Sequence, residues 1–281
     1  MEKLKKLYQD YELGSYFDKI KSHAKNAIHI EMMEVEENNI EIGASKIGGL
    51  PDLPKDVDWF NNEETKNPMA FIAQLNFAEL KPFDTADKLP EKGILYLFYD
   101  CSEDAMSWGY DPKDVVGRKI FFYEGSLDTL ERKNLAEDSL FEVAKLSFYT
   151  QMELPDYTSS LVSKQSLSAD GYDDYWRLKE EVMDDVENKV LGHSNNIQDG
   201  MELECELVTN GLYCGDSSGY NSPEREKLEK NITNWTLLLQ IDSNEELGMF
   251  WGDSGKLYLW ITEENLKNKQ FDDSWLILQC Y

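Results

Sequence analysis

Residues 71–80 read FIAQLNFAEL and lead to GILYLFYD at 93–100 and RKIFFYEG at 118–125; residues 237–246 read LLLQIDSNEE and lead to GKLYLWIT at 255–262 and SWLILQCY at 274–281. Gln74 aligns with Gln240, Asn76 with Asp242, Glu79 with Glu245, Gly93 with Gly255, and Leu95-Tyr96-Leu97 with Leu257-Tyr258-Leu259. A three-part pattern repeated in one order suggests an internal duplication. Within each copy an apolar run ends at Asn76 or Asp242, a residue type that caps helices, and an acid follows at capping-box spacing. Glycine then opens a second apolar run of strand length. Duplicated strand, short helical turn, strand, strand units predict an α+β fold: a mainly antiparallel β-sheet core with peripheral helices.

The flanking sequence adds elements to this frame. Residues 2–13 and 15–25 have helical spacing, broken by Gly14, with Ser15 as the second N-cap. Ile28, Ile30 and Met32 alternate, and so do Ile40 and Ile42 after Asn38-Asn39, which predicts a hairpin. SKIGGLPDLPKDVDW, 45–59, holds two glycines and two prolines and reads as a loop anchored by Trp59-Phe60. Leu146 to Leu154 alternate up to Pro155, as a strand does. Tyr175, Leu178, Val182, Val186 and Val190 form one stripe of a helix over 174–190, capped by Asp173 or Asp174, and 191–205 reads as a loop. Ser222-Pro223 starts a short helix to about Lys230, and Thr262 caps another through Leu266. The chain reads as one domain over 1–281, divided internally into 1–44, 45–125, 126–230 and 231–281.

Charge narrows the function. With 28 Lys+Arg against 55 Asp+Glu the net charge is −27, which argues against nucleic acid, whose phosphates need a cationic footprint. No apolar run reaches the ~20 residues of a membrane-spanning helix, and the basic amino terminus lacks the apolar segment of a secretory signal, so a cytoplasmic location is expected. Cys101, Cys205, Cys214 and Cys280 lack metal-ligand spacing and read as reduced thiols. Residues 170–206 carry twelve acids and three bases, residues 1–30 four acids and six bases. The acidic stretch suits a solvated face or a docking surface for a basic partner.

Motifs for chemistry are sparse. GDSSG (215–219) matches the nucleophile-elbow pattern and GDSG (252–255) a serine-protease tetrapeptide, but none of the three histidines follows either serine, so both read as turns. Neither a GxGxxG, a P-loop, an EF-hand loop nor an HExxH is present. No catalytic residue, metal site or cofactor is assigned. The binding candidates are His193 and Gln198 in the Asn-rich stretch after the acidic helix, Gln74 and Gln240 as polar residues inside apolar strands, Lys46 beside the glycine pair, and Asp253 in the GDSG turn.

SKIGGLPDLP with Trp59, AFIAQLNFAEL, LPEKGILYLFYD, LGHSNNIQDGMELECELVTNGLYCGD, LLLQIDSNEELGMFWGDSGKLYLWI and WLILQCY together resemble the YwqG-like family of bacterial proteins of unknown function, from about residue 40 onward. The resemblance implies a cytoplasmic bacterial α+β protein and supplies no activity. Three functions are weighed, the third being a purely structural oligomer-forming module. One is a non-enzymatic acidic protein-binding module, for example an immunity or antitoxin-like protein masking a basic toxin. Another is an enzyme or small-molecule binder whose pocket forms where loop 45–54, the strand ends near Gln74 and Gln240, and the His193 loop converge.

Overall fold

The computed structural model describes residues 2–102, 105–134, 141–183 and 186–281. In chain order the elements are α1 (Glu2–Asp10), α2 (Phe17–Lys21), β1 (Lys25–Glu34), β2 (Lys46–Ile47), β3 (Asp52–Pro54), β4 (Ala70–Asn76), α3 (Phe77–Leu80), β5 (Ile94–Tyr99), β6 (Arg118–Tyr123), β7 (Leu130–Arg132) and β8 (Ala144–Glu153). They continue as α4 (Ser160–Ser163), α5 (Ala169–Val182), β9 (Lys189–Leu191), α6 (Met201–Thr209), α7 (Ser217–Tyr220), α8 (Arg225–Leu228), β10 (Trp235–Asp242), β11 (Lys256–Thr262), α9 (Glu263–Lys267) and β12 (Trp275–Gln279). The fold is α+β.

Ten strands form one antiparallel sheet in the order β12-β11-β10-β9-β1-β8-β2-β4-β5-β6, and β3 pairs with β7 beside it. The order reads inward from each end in the same way: three consecutive long strands, a short one, then a long central strand. At the centre β1 and β8 pair over their full length, from Lys25↔Glu153 to Glu34↔Ala144.

Strand chemistry explains why the sheet is covered twice. An antiparallel sheet with one wet face alternates apolar and polar residues, whereas β5 (ILYLFY) and β11 (KLYLWIT) are apolar almost throughout. One set of side chains, Leu95, Leu97, Tyr99, Leu257, Leu259 and Ile261, joins the core shared by both halves. The alternate set divides: Ile94, Tyr96 and Phe98 pack with Leu53 and Phe71, while Tyr258 and Trp260 pack with Trp275, Leu237 and Met201 of α6. Fully burying a large apolar side chain contributes about 1.5–3 kcal/mol, so these runs dominate the sheet's stability. A separate cluster seats α1, α2 and α5 through Tyr8, Phe17, Ile20, Tyr175 and Leu178.

Several expectations change in the folded chain. Ile40 and Ile42 form no strand; a 3-10 turn at Glu37–Asn39 ends the region, and β1 takes its partners from β8 and β9. The long helix begins earlier and stops at Val182, with Ser168 capping it through Gly171 N, so Val190 lies in β9 and not on the helical stripe. The segment 191–205 is a loop only to Gly200; Met201 opens α6. Asn76 does cap α3 by accepting from Ala78 N, but Glu79 accepts from Ser45 N instead of closing a capping box. Asp242 accepts from Ser243 N in a turn and no helix follows it. Thr262 caps α9 as expected; the stretch 45–59, expected as a loop, carries the two short strands β2, which sits between β8 and β4 inside the sheet, and β3, and Trp59 Nε1 donates to Met69 O at its end.

Candidate functional site

Four of the six polar residues singled out in the sequence, Lys46, Gln74, Gln240 and His193, lie at two sheet corners with one pattern of bonds. In the first, Lys46 of β2 stands opposite Gln74 of β4. Gln74 Nε2 donates to Ala44 O at 2.7 Å, and its Oε1 accepts from Asp52 N at 2.8 Å. Tyr96 OH donates to Asp52 O at 2.6 Å. Lys46 Nζ donates to Glu37 Oε1 at 2.8 Å, and Leu50 N to Glu37 Oε2 at 3.1 Å.

In the second corner Lys189 of β9 stands opposite Gln240 of β10. Gln240 Nε2 donates to Glu187 O at 2.6 Å and Oε1 accepts from Asn195 N at 2.9 Å, while Tyr258 OH donates to Asn195 O at 2.7 Å. Lys189 Nζ donates to Glu153 Oε1 at 2.6 Å and His193 N to Glu153 Oε2 at 2.8 Å. Ala44, Lys46, Leu50 and Asp52 thus recur, at identical spacing, as Glu187, Lys189, His193 and Asn195. Both loops leave the strand through two residues at positive φ, Gly48 and Gly49 in one and Leu191 and Gly192 in the other.

The corners differ in their counter-charges. Arg132 completes the first, its Nε 2.8 Å from Asp52 Oδ1 and 3.0 Å from Glu37 Oε1. In the second, His29 Nε2 donates to Glu153 Oε1 at 2.8 Å. Glu153, His29, Lys189 and His193 are all buried. Burial alone would raise the Glu153 carboxyl, but the Lys189 ammonium and the His29 and His193 N–H donors outweigh it and hold it down to about 2. Burial, reinforced by the charge of Lys25, drives the His193 imidazole well below its ordinary 6.5; its Nε2 donates to His23 O at 2.7 Å.

Lys46, Gln74 and Gln240 therefore spend their polar side-chain atoms on the protein's own backbone and carboxylates, and so does His193 Nε2, while the buried His193 Nδ1 has no partner among the described residues. The Gln74 and Gln240 corners are separate: one set of bonds joins Gln74 to the 43–52 loop, the other Gln240 to 187–195. Gln198 Nε2 donates to Cys280 O at the surface, and the exposed Asp253 accepts from Tyr281 N through its carbonyl. Among the described residues no group of three or more His, Cys, Asp or Glu is placed to hold a metal ion. A direct consequence is testable by denaturant unfolding. Gln240→Leu leaves Asn195 N and Glu187 O unpaired in the interior and is expected to cost about 2 kcal/mol or more. Gln198→Ala, at the exposed edge, is expected to stay within about 0.5 kcal/mol of wild type.

One feature emerged only in three dimensions. Beside Gly49 and Leu50 opens a cleft of about 620 Å³ lined by Glu34, Glu36, Glu37, Glu142 and Glu246, with Val35, Phe141 and Val143 as apolar wall. Glu37 is neutralised by Lys46 and Arg132. Glu34, Glu36, Glu142 and Glu246 are exposed and have no ion-pair partner among the described residues. By contrast, the acidic run 170–206 is divided: Glu202 and Glu206 are buried, Glu187 pairs with Lys256 at 3.1 Å, and Asp184 and Asp185 lie outside the described residues.

The family model described as a domain of unknown function (DUF1963) matches residues 45–280, and the chain belongs to that family. No curated protein matches the chain. Among the described residues no helix is long and apolar enough to cross a membrane.

Proposed function

We propose that this member of the DUF1963 family is a non-enzymatic acidic docking module of the cytoplasm that captures an arginine- or lysine-rich segment of another protein, in the manner of an immunity or antitoxin-like protein masking a basic toxin. The observation that carries the reading is the cleft beside Gly49. Four exposed glutamates from three separate chain segments meet over an apolar wall, a combination that receives the charged head and the methylene stem of a basic side chain together. The net charge of −27 adds long-range attraction that speeds encounter and fades with salt. Two copies of the Lys–Glu–Gln corner support the view that the domain arose by internal duplication and that those polar residues serve its architecture.

Titration with an arginine-rich peptide tests the reading. The variant carrying Glu34→Gln, Glu36→Gln, Glu142→Gln and Glu246→Gln removes four exposed pairs worth about 0.5 kcal/mol each, so a roughly 30-fold weaker affinity is expected. A control carrying Asp170→Asn, Asp173→Asn and Glu180→Gln on α5 is expected to bind nearly as wild type. Equal losses in both, or binding insensitive to salt, would reject the cleft as the docking site.

A further inference from the structure

At the opposite charge extreme, the end strand β6 carries a guanidinium without a counter-ion. Arg118 is 6% exposed. Its Nη2 donates to Ser274 O, while its Nε, buried, donates to nothing. Among the described residues no carboxylate lies within ion-pair distance of it. Ser274 itself is buried, and its hydroxyl also lacks a partner. A buried charge without a partner costs several kcal/mol and buried orphan donors are rare, so the unpartnered guanidinium of Arg118 points to a missing acceptor.

Arg118 lines a cleft of about 550 Å³, a size that holds a small organic ligand. Phe60, Met69, Val115 and Ile120 give it apolar walls. Lys119, also in the lining, lies 5.9 Å from the centre of the Phe60 ring and 3.8 Å from Asp272 Oδ1. We infer that this cleft binds a monocarboxylate with an apolar or aromatic body, its carboxylate taken by Arg118 and the body lying against Phe60 and Met69. A planar guanidinium fork matches a carboxylate in geometry as well as charge. Asp272 and Glu63, also in the lining, disfavour a dianion such as phosphate more than a monoanion. Burial brings Arg118 down to about 10, which leaves it charged at neutral pH.

Benzoate is the probe, titrated by calorimetry or followed by ligand-observed NMR, with benzamide and inorganic phosphate alongside. Arg118→Met keeps the stem and removes the fork. Val115→Trp narrows the cleft from an exposed position and leaves Arg118 in place, so it separates lost binding from lost folding. Saturable benzoate binding, weakened at least tenfold in each variant and for benzamide, is the expected result. Absence of benzoate binding by the folded wild type, equal binding by Val115→Trp, or tighter binding of phosphate than of benzoate would overturn the assignment.

Discussion

Glu153→Gln is expected to lower the unfolding free energy at neutral pH by about 3–5 kcal/mol, the cost of removing one member of a buried ion pair. The carboxylate is inaccessible to solvent and accepts from Lys189, His29 and His193 N. An amide of the same shape loses the charge and, through its NH₂, presents a donor to donors. The pH dependence provides a second readout with a definite sign. The carboxyl titrates at about 2 in the fold against 4.5 for the ordinary value. Its contribution, about 3 kcal/mol by linkage, is complete above about pH 4.5 and lost as pH falls towards 2. Wild type is therefore expected to lose stability through that window more steeply than Glu153→Gln, as urea unfolding at a series of pH values would show. Parallel curves, or a loss under about 1 kcal/mol at neutral pH, would mean that the second corner is not held by this carboxylate.

Gly192→Ala is the companion result, with an expected cost of about 2–5 kcal/mol. Two sources add. Gly192 has φ +82°, and an L-residue in the left-handed region costs about 1–2 kcal/mol. A Cβ there would also sit on Glu153 Oε2 and lie 2.5 Å from Ala27 Cβ, and overpacking costs about 1–3 kcal/mol more. Gly211 separates the two sources, because it has φ +88° and nothing within 4 Å of the added carbon. Gly211→Ala should lose about 1–2 kcal/mol only. If the two substitutions cost the same, close packing of the loop on Glu153 contributes nothing.

The strands of the fold were legible because burial on both faces leaves continuous apolar runs, as in 93–100 and 255–262. Asn76 and Thr262 announced their caps through residue type and position. The helix boundaries after residue 168 were not legible, because Val186 and Val190 fit a helical stripe while Val190 in fact pairs with Ile28 across the sheet. Pairing of distant segments leaves no local signal, so the hairpin expected after Glu34 gave way to β8, far along the chain. Gln74 and Gln240 were rightly marked as polar residues inside apolar strands, yet only the fold shows that each satisfies its own loop. The paired lysines were half visible: Lys46 stood out beside Gly48-Gly49, whereas Lys189 did not, because its loop has Leu191 where the first has glycine. Both clefts escaped the sequence. Glu34, Glu36, Glu142 and Glu246 are scattered among 55 acids, and Arg118 is one base within an ordinary strand.

The docking account is tested most directly by mapping backbone amide shifts while an arginine-rich peptide is titrated in at low salt. It predicts perturbations confined to Glu34–Glu37, Gly49–Leu50, Glu142–Val143 and Glu246, reversed by salt. Perturbations centred on α5, or an unchanged spectrum at saturating peptide, would contradict it.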